Sequence, residues 1–348
     1  KIKSLYMEGI KTSDVFCKEM GEFLKTDPWV QHLKIGSFRA CGISTAPLSI
    51  ALKTHSSLRT ILIDCNGITQ LDTLTWALAY QPQLEKLVLY YINFSTQRIL
   101  SGLALTVAES HSLRELEINY WSFDEGVRID PWLSSLEQTR SLEKLTITST
   151  NPETFFRILS VVANSTISRL ALRGFDLLSS MIWEKLTQLV VDGCLDSLGL
   201  LDTIVSQEGL SCLVQGLSKT RSLRTLNLKN VKGMMGESIM AEAIKILSHN
   251  KSIQSLDLES TQFDEDGVLS LLECLKHNKT LKRLNLTYCN LRENHIQLLA
   301  KVLATENNTL ISLCMGEFWS IKGVALKVQE ICSTRVPQLK ISYYEEYQ

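Results

Sequence analysis

The sequence feature that most constrains the fold is a spacing of leucines that recurs along the chain. In the segment LKHNKTLKRLNLTYCNL, residues 275–291, leucines stand at 281, 284, 286 and 291 with polar residues between them. The upstream segment LSHNKSIQSLDLEST, residues 247–261, places Ile253, Leu256 and Leu258 in the same register. Such self-similarity is the signature of a repeat protein, in which stacked copies share one continuous core.

An apolar-x-x-apolar-x-apolar pattern locates the start of each copy. Thirteen positions along the chain match this pattern: Ile2, Val30, Leu58, Leu84, Leu113, Leu142, Ile167, Leu186, Leu223, Ile253, Leu281, Leu310 and Val336. Successive starts are nearly evenly spaced, except that Leu186 lies much closer to Ile167 than to Leu223. We interpret this irregular pair, at about 167–222, as a short repeat with a nearly absent helix followed by a repeat with an extra turn or loop.

Each repeat combines two periods that predict a strand followed by a helix. Within LKRLNL, residues 281–286, Leu284 and Leu286 share one face of a strand, while Arg283, Asn285 and Thr287 share the other. The segment ENHIQLLAKVLA, residues 293–304, carries an apolar stripe at helical spacing. Neither element can bury its apolar side alone, so the repeats must stack into a parallel sheet backed by a row of helices. Strands lie about 4.8 Å apart and helices about 8–10 Å apart, so we expect the sheet on the inside of a curve.

Polar residues support these element boundaries. Asn250 and Asn278 fall at predicted helix C-termini, where asparagine tolerates a left-handed backbone. The segment FDEDG, residues 263–267, places acidic residues at the predicted start of the next helix. These signals bracket each helix within its repeat.

The repeat resembles that of the leucine-rich repeat proteins, and its length of about 28 residues resembles the ribonuclease-inhibitor-like subclass. That subclass places Cys or Asn at the ninth position, which Asn66, Cys194 and Cys289 match. The resemblance implies an α/β leucine-rich repeat solenoid of about 13 coils, a curved horseshoe with a parallel sheet on its concave face and helices on its convex face. We expect a single domain over residues 1–348. Because the chain does not begin with Met and its first residues match a strand, we interpret it as a segment that can have a domain upstream.

Composition and charge narrow the function class. A net charge of −1, from 36 Lys+Arg and 37 Asp+Glu, argues against a nucleic-acid partner. The chain has no apolar run long enough to span a membrane, so we expect no membrane insertion. Nine cysteines without a CxxC pair, together with a glycosylation sequon at Asn285 inside a predicted strand, favour a reducing, cytoplasmic location. We expect a monomer.

No catalytic motif is recognisable, and we expect neither an enzyme nor a cofactor. His249 and His277 occupy equivalent places in adjacent repeats and could share a metal, but we favour two exposed side chains near helix C-termini and predict no metal site. Cys194 and Cys289 are interpreted as packed thiols rather than reactive ones.

Recognition is expected at the third, fifth and seventh positions of each strand and at the eighth position, where the strand ends. The first three carry eight Lys/Arg and seven Asp/Glu over the thirteen repeats, so that surface is mixed in sign. The eighth position carries tyrosine at 91, 120, 288 and 343, although the chain has only nine tyrosines. Exposed Tyr and Trp are typical of interface hot spots, although aromatic residues could instead shield the strand ends. The predicted partner-binding residues are Tyr90, Tyr91, Tyr120, Trp121, Lys86, Glu115, Glu117, Lys144, Arg169, Arg173 and Tyr288.

These residues predict a non-enzymatic scaffold that binds a folded protein partner on its concave face. Tyr90, Tyr91, Tyr120 and Trp121 would be the anchors. Glu115 and Glu117 are expected to face Lys86, and a basic patch of Lys144, Arg169 and Arg173 is expected beside them. Plain HNKS and HNKT junctions and a variable ninth position resemble the host-targeting repeat modules of proteins injected by intracellular bacteria. This resemblance implies a secreted bacterial effector that acts on host proteins in the host cytoplasm. Two alternatives are the ligand-sensing arm of an innate immune receptor and a GTPase-activating protein resembling those for Ran.

Overall fold

The structure is a computed structural model that describes residues 2–7, 13–36, 44–66, 68, 70–148, 151–174, 176–177, 179–233, 239–316 and 339–342. The chain divides into two compact units. We call Lys1–Ser168 the N-terminal half and Arg169–Gln348 the C-terminal half. The expectation of a single domain stays a prediction.

The N-terminal half has a parallel sheet of six strands in chain order, namely β1 (Ser4–Met7), β2 (His32–Ile35), β3 (Thr60–Asp64), β4 (Lys86–Tyr90), β6 (Glu115–Asn119) and β8 (Lys144–Thr148). Two short strands, β5 (Asn93–Phe94) and β7 (Ser122–Phe123), pair separately. The helices between the strands are α1 (Asp14–Thr26), α2 (Ala46–Thr54), α3 (Leu71–Leu78), α4 (Gln97–Glu109), α5 (Asp130–Gln138) and α6 (Pro152–Val162). The predicted alternation of strand and helix is therefore confirmed here.

The C-terminal half repeats this arrangement with seven strands, namely β9 (Arg169–Arg173), β11 (Ser197–Leu201), β13 (Thr225–Asn227), β15 (Ser255–Asp257), β16 (Arg283–Asn285), β17 (Ser312–Cys314) and β18 (Lys340–Ser342). A second, smaller sheet contains β10 (Asp176–Leu177), β12 (Ile204–Val205) and β14 (Lys232–Gly233). The helices are α7 (Ser180–Val191), α8 (Gln207–Lys219), α9 (Ile239–Leu247), α10 (Glu265–His277) and α11 (Glu293–Thr305). Among the residues that the structure describes, no helix is both long and apolar enough to cross a membrane.

The two periods of the repeat bury the residues that they were predicted to bury. The core leucines at 281, 284, 286 and 291 are all buried, as is the stripe of α11 at 296, 299, 300 and 303. Asp264 caps α10 by accepting the Gly267 N–H at 2.7 Å, as the acidic segment before the helix predicted. On the opposite strand face Arg283 is exposed but Asn285 and Thr287 are buried, a difference from the expected solvent face. The Thr287 hydroxyl lies 3.2 Å from the Cys314 sulfur of the next strand, so neighbouring repeats cover this row.

The predicted irregular pair at about 167–222 is wrong. Leu186 lies inside α7, and the next strand, β11, begins at Ser197. Because Ser197 pairs with Arg169 on one side and Thr225 on the other, the repeat starts at Leu195, midway between Ile167 and Leu223. The helical stripe of α7 caused the error, since residues three apart on a helix face give the same apolar spacing as the start of a strand.

Two further assignments of repeat position also differ from the prediction. Cys194 precedes β11 and is not a ninth-position residue. The pairing of Leu313 with Ile341 places the last repeat start at position 338, two residues after the predicted Val336. Val336 itself lies outside the described residues.

The predicted left-handed backbone at Asn250 and Asn278 is also wrong. Neither residue has a positive φ, and Asn278 follows α10 with an extended backbone of φ −69° and ψ 126°. The extended backbone turns the side chain inward, where Asn278 and Asn250 are both buried. A buried carboxamide needs hydrogen-bond partners, and here the partners lie in the neighbouring repeat.

Buried asparagines link successive repeats of the C-terminal half. The Asn278 Nδ2 donates to the Leu247 carbonyl of the preceding repeat at 2.6 Å, and its Oδ1 accepts the N–H groups of Thr280 and Leu281 at 2.8 and 2.7 Å. Asn250 and Asn307 make the same pattern of bonds. The three asparagines of this ladder lie three residues before their repeat starts, at 253, 281 and 310, and not at the ninth position.

Asn278→Ala should lower the free energy of unfolding by about 3 kcal/mol, because it leaves buried backbone groups of two repeats without partners. Urea unfolding followed by circular dichroism measures this change. Asn164 occupies the equivalent position before Ile167 but is exposed, so Asn164→Ala should change stability by less than about 0.5 kcal/mol. Equal losses in the two variants would contradict the ladder.

Candidate functional site

The strands of the main sheets end in a repeated left-handed turn at the eighth position. Every described eighth-position residue from the repeat of β4 to that of β16 has a φ between 52° and 67°: Tyr91, Tyr120, Gly174, Asp202, Asn230, Ser260 and Tyr288. At five of these positions the N–H donates to the seventh-position carbonyl of the next repeat, over 2.8–3.0 Å. The turn therefore extends the strand pairing by one residue. Positive φ favours Gly, Asn and Asp and is costly for a bulky residue such as tyrosine.

Tyr91 and Tyr120 form an exposed stacked pair at this turn. Their ring centroids are 4.8 Å apart with an interplanar angle of 9°. The side chains are 47% and 55% exposed, so the pair presents a large aromatic surface to solvent. Both were predicted from the sequence as anchors, and the structure brings them together.

Thr148 of the following strand fixes the conformation of the residues around Tyr120. The Tyr120 N–H donates to the Thr148 hydroxyl at 2.6 Å, replacing the carbonyl acceptor used at other repeats. The Trp121 indole N–H donates to the Thr148 carbonyl at 3.1 Å. Sequence reasoning missed Thr148, since only the register of β8 shows that it lies beside the turn.

Trp121 is not an exposed anchor, which corrects the prediction. It is only 7% exposed and contacts Phe94, Phe123 and Trp132, with ring centroids 5.2 to 6.2 Å apart. The left-handed turn at Tyr120 reverses the side-chain direction, so that the next residue points into the core. Tyr90, on β4, is half-buried and pairs with Asn119 in the sheet.

Charged third-position residues form an ion cluster on adjacent strands. The Glu115 Oε2 lies 3.3 Å from the Lys86 Nζ and 3.5 Å from the Lys144 Nζ. Burial raises the pKa of Glu115, but the charges and hydrogen bonds of Lys144 and Lys86 together outweigh it and lower that pKa below its ordinary value. Glu115 was expected to face Lys86, and it does.

Glu117, the fifth-position residue on the same strand, has a different partner. Its Oε1 accepts the amide of Asn119 at 2.7 Å. Asn119 is fully buried, and its own Oδ1 has no hydrogen-bond partner in the structure. Sequence reasoning missed Asn119, because the pattern assigned it only a place on the open face of the sheet.

The remaining predicted residues are divided between the two halves. Arg169 and Arg173 are half-buried on β9 in the C-terminal half, and Arg173 lies 3.7 Å from Asp202. Lys144, which was expected to join them in a basic patch, is paired with Glu115 in the N-terminal half. Tyr288 lies in the C-terminal half and is 65% exposed. Tyr343 lies outside the described residues.

The structure shows where the histidines and cysteines singled out in the sequence lie. No cluster of three or more His, Cys, Asp or Glu there could hold a metal ion. His249 and His277 are both exposed, and the His277 Nε2 lies 2.7 Å from Glu273. Cys289 is buried and is therefore a packed thiol, as expected. Its burial raises its pKa to about 12.

Comparison with solved structures identifies the fold. The leucine-rich repeat-containing protein LegL7 from Legionella pneumophila is similar with a TM-score of 0.54 and 16% sequence identity, covering 86% of this chain and 98% of that one. The chain has the leucine-rich repeat fold. At this identity the likeness shows the fold alone.

A second solved structure, Leiomodin-1 Actin-Binding Site 2, has 19% identity and covers 54% of this chain and 91% of that one. Its TM-score of 0.35 is too low to support an argument. No protein-family profile and no curated protein matches the leucine-rich repeat chain. Assignment to the ribonuclease-inhibitor-like subclass stays a prediction.

The left-handed backbone at Tyr288 predicts how a substitution there changes stability. Tyr288→Asn should raise the free energy of unfolding by about 0.5–1 kcal/mol, because asparagine tolerates positive φ at lower cost and the exposed ring has little packing to lose. Urea unfolding tests this. Tyr80 is exposed without a positive φ, so Tyr80→Asn should give no gain. A loss of stability in Tyr288→Asn would show that this tyrosine is not strained.

The ion cluster predicts a pH dependence. Glu115→Gln should lower the free energy of unfolding near neutral pH by about 1 kcal/mol or less, since the pair is partly screened by water. A carboxylate with a lowered pKa in the folded state stabilises above the ordinary pKa of 4.5 and loses that contribution as the pH falls through its folded pKa. The difference between wild type and variant should therefore shrink below pH 4.5, as urea unfolding across a pH series would show.

Glu85 is a matched control for this experiment, because its ion pair with Arg59 is more exposed on both sides. Glu85→Gln should have a smaller effect at every pH. A Glu115→Gln difference that persists or grows in acid would contradict the assignment.

Proposed function

We propose that this leucine-rich repeat protein is a non-enzymatic scaffold that binds a folded protein partner with the strand-exit surface of its N-terminal half. We use this name for Tyr90, Tyr91, Glu117 and Tyr120. The observation that carries the proposal is the exposed, stacked pair of Tyr91 and Tyr120 in a backbone conformation that disfavours tyrosine. Residues held at a local conformational cost cluster at binding and catalytic sites.

Tyrosine suits a binding anchor for physical reasons. It offers a large contact area with few rotatable bonds, so little entropy is lost when a partner immobilises it. Stacking of Tyr91 on Tyr120 restricts both rings before binding, which lowers that cost further. At equivalent turns the chain uses Gly174, Asp202 and Asn230, the residue types that the turn favours.

The ion cluster supplies the polar rim of the proposed interface. Lys86, Glu115 and Lys144 lie at the third positions of adjacent strands, and their charges partly cancel. Rim charges affect partner orientation and association rate more than affinity. In this proposal Arg169, Arg173 and Tyr288 belong to a second contact region on the C-terminal half.

The cellular role is a finer part of the proposal. We infer a secreted bacterial effector that acts in the host cytoplasm, supported by the plain HNKS and HNKT junctions of the repeats. LegL7 comes from Legionella pneumophila, and this origin belongs to LegL7 alone. No observation at the described site favours the ligand-sensing arm of an immune receptor or the GTPase-activating protein. Both alternatives stay predictions.

The double variant Tyr91→Ala/Tyr120→Ala tests the proposal by quantitative affinity capture from eukaryotic cell lysate. At least one protein captured by wild type should fall by about tenfold or more, since truncating a hot spot typically costs over 2 kcal/mol. Mass spectrometry with isotope labels measures the ratio. Circular dichroism melting curves check that the variant remains folded.

Tyr80→Ala provides the matched control, because Tyr80 is 51% exposed but follows α3 instead of a strand. Its capture profile should equal that of wild type. If every specifically captured protein is recovered equally by all three chains, the tyrosine pair is not the binding site and the proposal fails.

A further inference from the structure

The sheet face of the N-terminal half carries its charges in two separate zones. At the third positions, both lysines of the ion cluster, Lys86 and Lys144, already contact Glu115. From β3 to β8, the fifth, seventh and eighth positions contain no lysine or arginine, and β6 places Glu117 among them. The zone around the stacked tyrosines therefore has an excess of negative charge.

Glu117 is the acidic residue best placed to take a cation from a partner. Within the residues described, it has no ion pair, and one of its oxygens accepts the Asn119 amide. That bond fixes the carboxylate on β6, which continues directly into Tyr120. Side chains at alternate positions of a strand share one face, so Glu117 lies on the sheet face bordered by the tyrosine pair.

Asn119 is a buried residue that positions Glu117. Its Nδ2 is used by Glu117, while its Oδ1 is buried and lacks a hydrogen-bond partner in the structure. A buried acceptor without a partner costs about 1–3 kcal/mol, and most such groups in folded proteins are paired. The site thus combines the Glu117 carboxylate, held by the Asn119 amide, with an exposed aromatic pair.

We propose that Tyr91, Tyr120 and Glu117, whose carboxylate is held by Asn119, form a subsite for an arginine side chain of the protein partner. This inference rests on the proposed function and names the chemistry that the strand-exit surface recognises. A guanidinium group is planar and cationic, stacks on aromatic rings, and carries five N–H donors that pair with carboxylate and amide oxygens. Lysine provides a point charge without the planar surface, so arginine fits the combination of stacked rings and acceptors better.

The tyrosine of the C-terminal half provides an internal contrast. Tyr288 follows a strand whose neighbour carries Glu259, but the Lys229 Nζ already lies 2.7 Å from the Glu259 carboxylate. The charge of Glu259 is therefore neutralised within the chain. We expect Tyr288 to contribute no arginine preference.

Selection from a phage-displayed library of random peptides tests the subsite with a defined probe. The whole chain is the bait, and phage that also bind Tyr91→Ala/Tyr120→Ala are removed. Enriched peptides should share an arginine at a fixed position. Replacing that arginine with citrulline, which keeps the shape but removes the charge, should weaken binding by about tenfold, as measured by isothermal titration calorimetry. Replacement with lysine should also weaken binding.

Variants of the chain locate the contact. Glu117→Gln should weaken the arginine peptide by about tenfold and leave its citrulline analogue unchanged, whereas Glu85→Gln should bind as wild type does. Melting curves confirm that each variant is folded.

The outcomes separate this inference from the proposed function. Tyrosine-dependent peptides without arginine, or arginine peptides that Glu117→Gln binds as tightly as wild type, would overturn the subsite and leave the binding surface standing. A library that yields no tyrosine-dependent peptide would overturn the subsite too, while the lysate capture experiment alone decides the broader proposal.

Discussion

The structure depends on one constraint, which is that no single repeat can bury its own apolar surface. A strand with alternate leucines and a helix with one apolar stripe each leave a face exposed until the next repeat covers it. Leu284 on β16 pairs with Leu256 on one side and Leu313 on the other, and all three are buried. Register between repeats is consequently fixed by both the core and the polar groups that bridge adjacent repeats. Asn278 shows the polar part, since one side chain joins the backbone of two repeats.

The same requirement for register explains the turn at the strand ends. Carrying the backbone hydrogen bonds one residue beyond the strand requires a left-handed residue, and Gly, Asn or Asp meets that requirement at low cost. Tyr91 and Tyr120 occupy this position in adjacent repeats although the backbone disfavours them. Their exposure and stacking give the surface a property that the turn itself does not need. In the proposed function, stability and recognition are thus assigned to different residues of one repeat.

Much of the fold could be predicted from the sequence because the apolar spacing reflects packing directly. The strand–helix alternation, the core leucines of residues 275–291 and the cap at Asp264 were all predicted correctly. The errors arose where one pattern serves two structures. Leu186 and Leu189 fit a strand start but form a helical stripe, and Asn278 fits a left-handed cap but has an extended backbone with an inward side chain. Within the site, the tyrosines were identifiable from their recurrence, whereas Trp121, Asn119 and Thr148 depend on side-chain direction and strand register that spacing alone does not show. Gly174, Asp202 and Asn230 at equivalent positions were the available signal for the turn.

In the proposed function, the pair of Tyr91 and Tyr120 serves binding and gives no benefit to the fold. The most direct measurement compares stability and protein capture in one variant, Tyr91→Asn/Tyr120→Asn. Asparagine tolerates the left-handed backbone at lower cost than tyrosine, and this gain should offset the lost ring stacking. The free energy of unfolding should therefore stay within about 1 kcal/mol of wild type. Capture of the specific partner should be lost in the same preparation. A variant that is clearly less stable but still captures its partner would contradict the account.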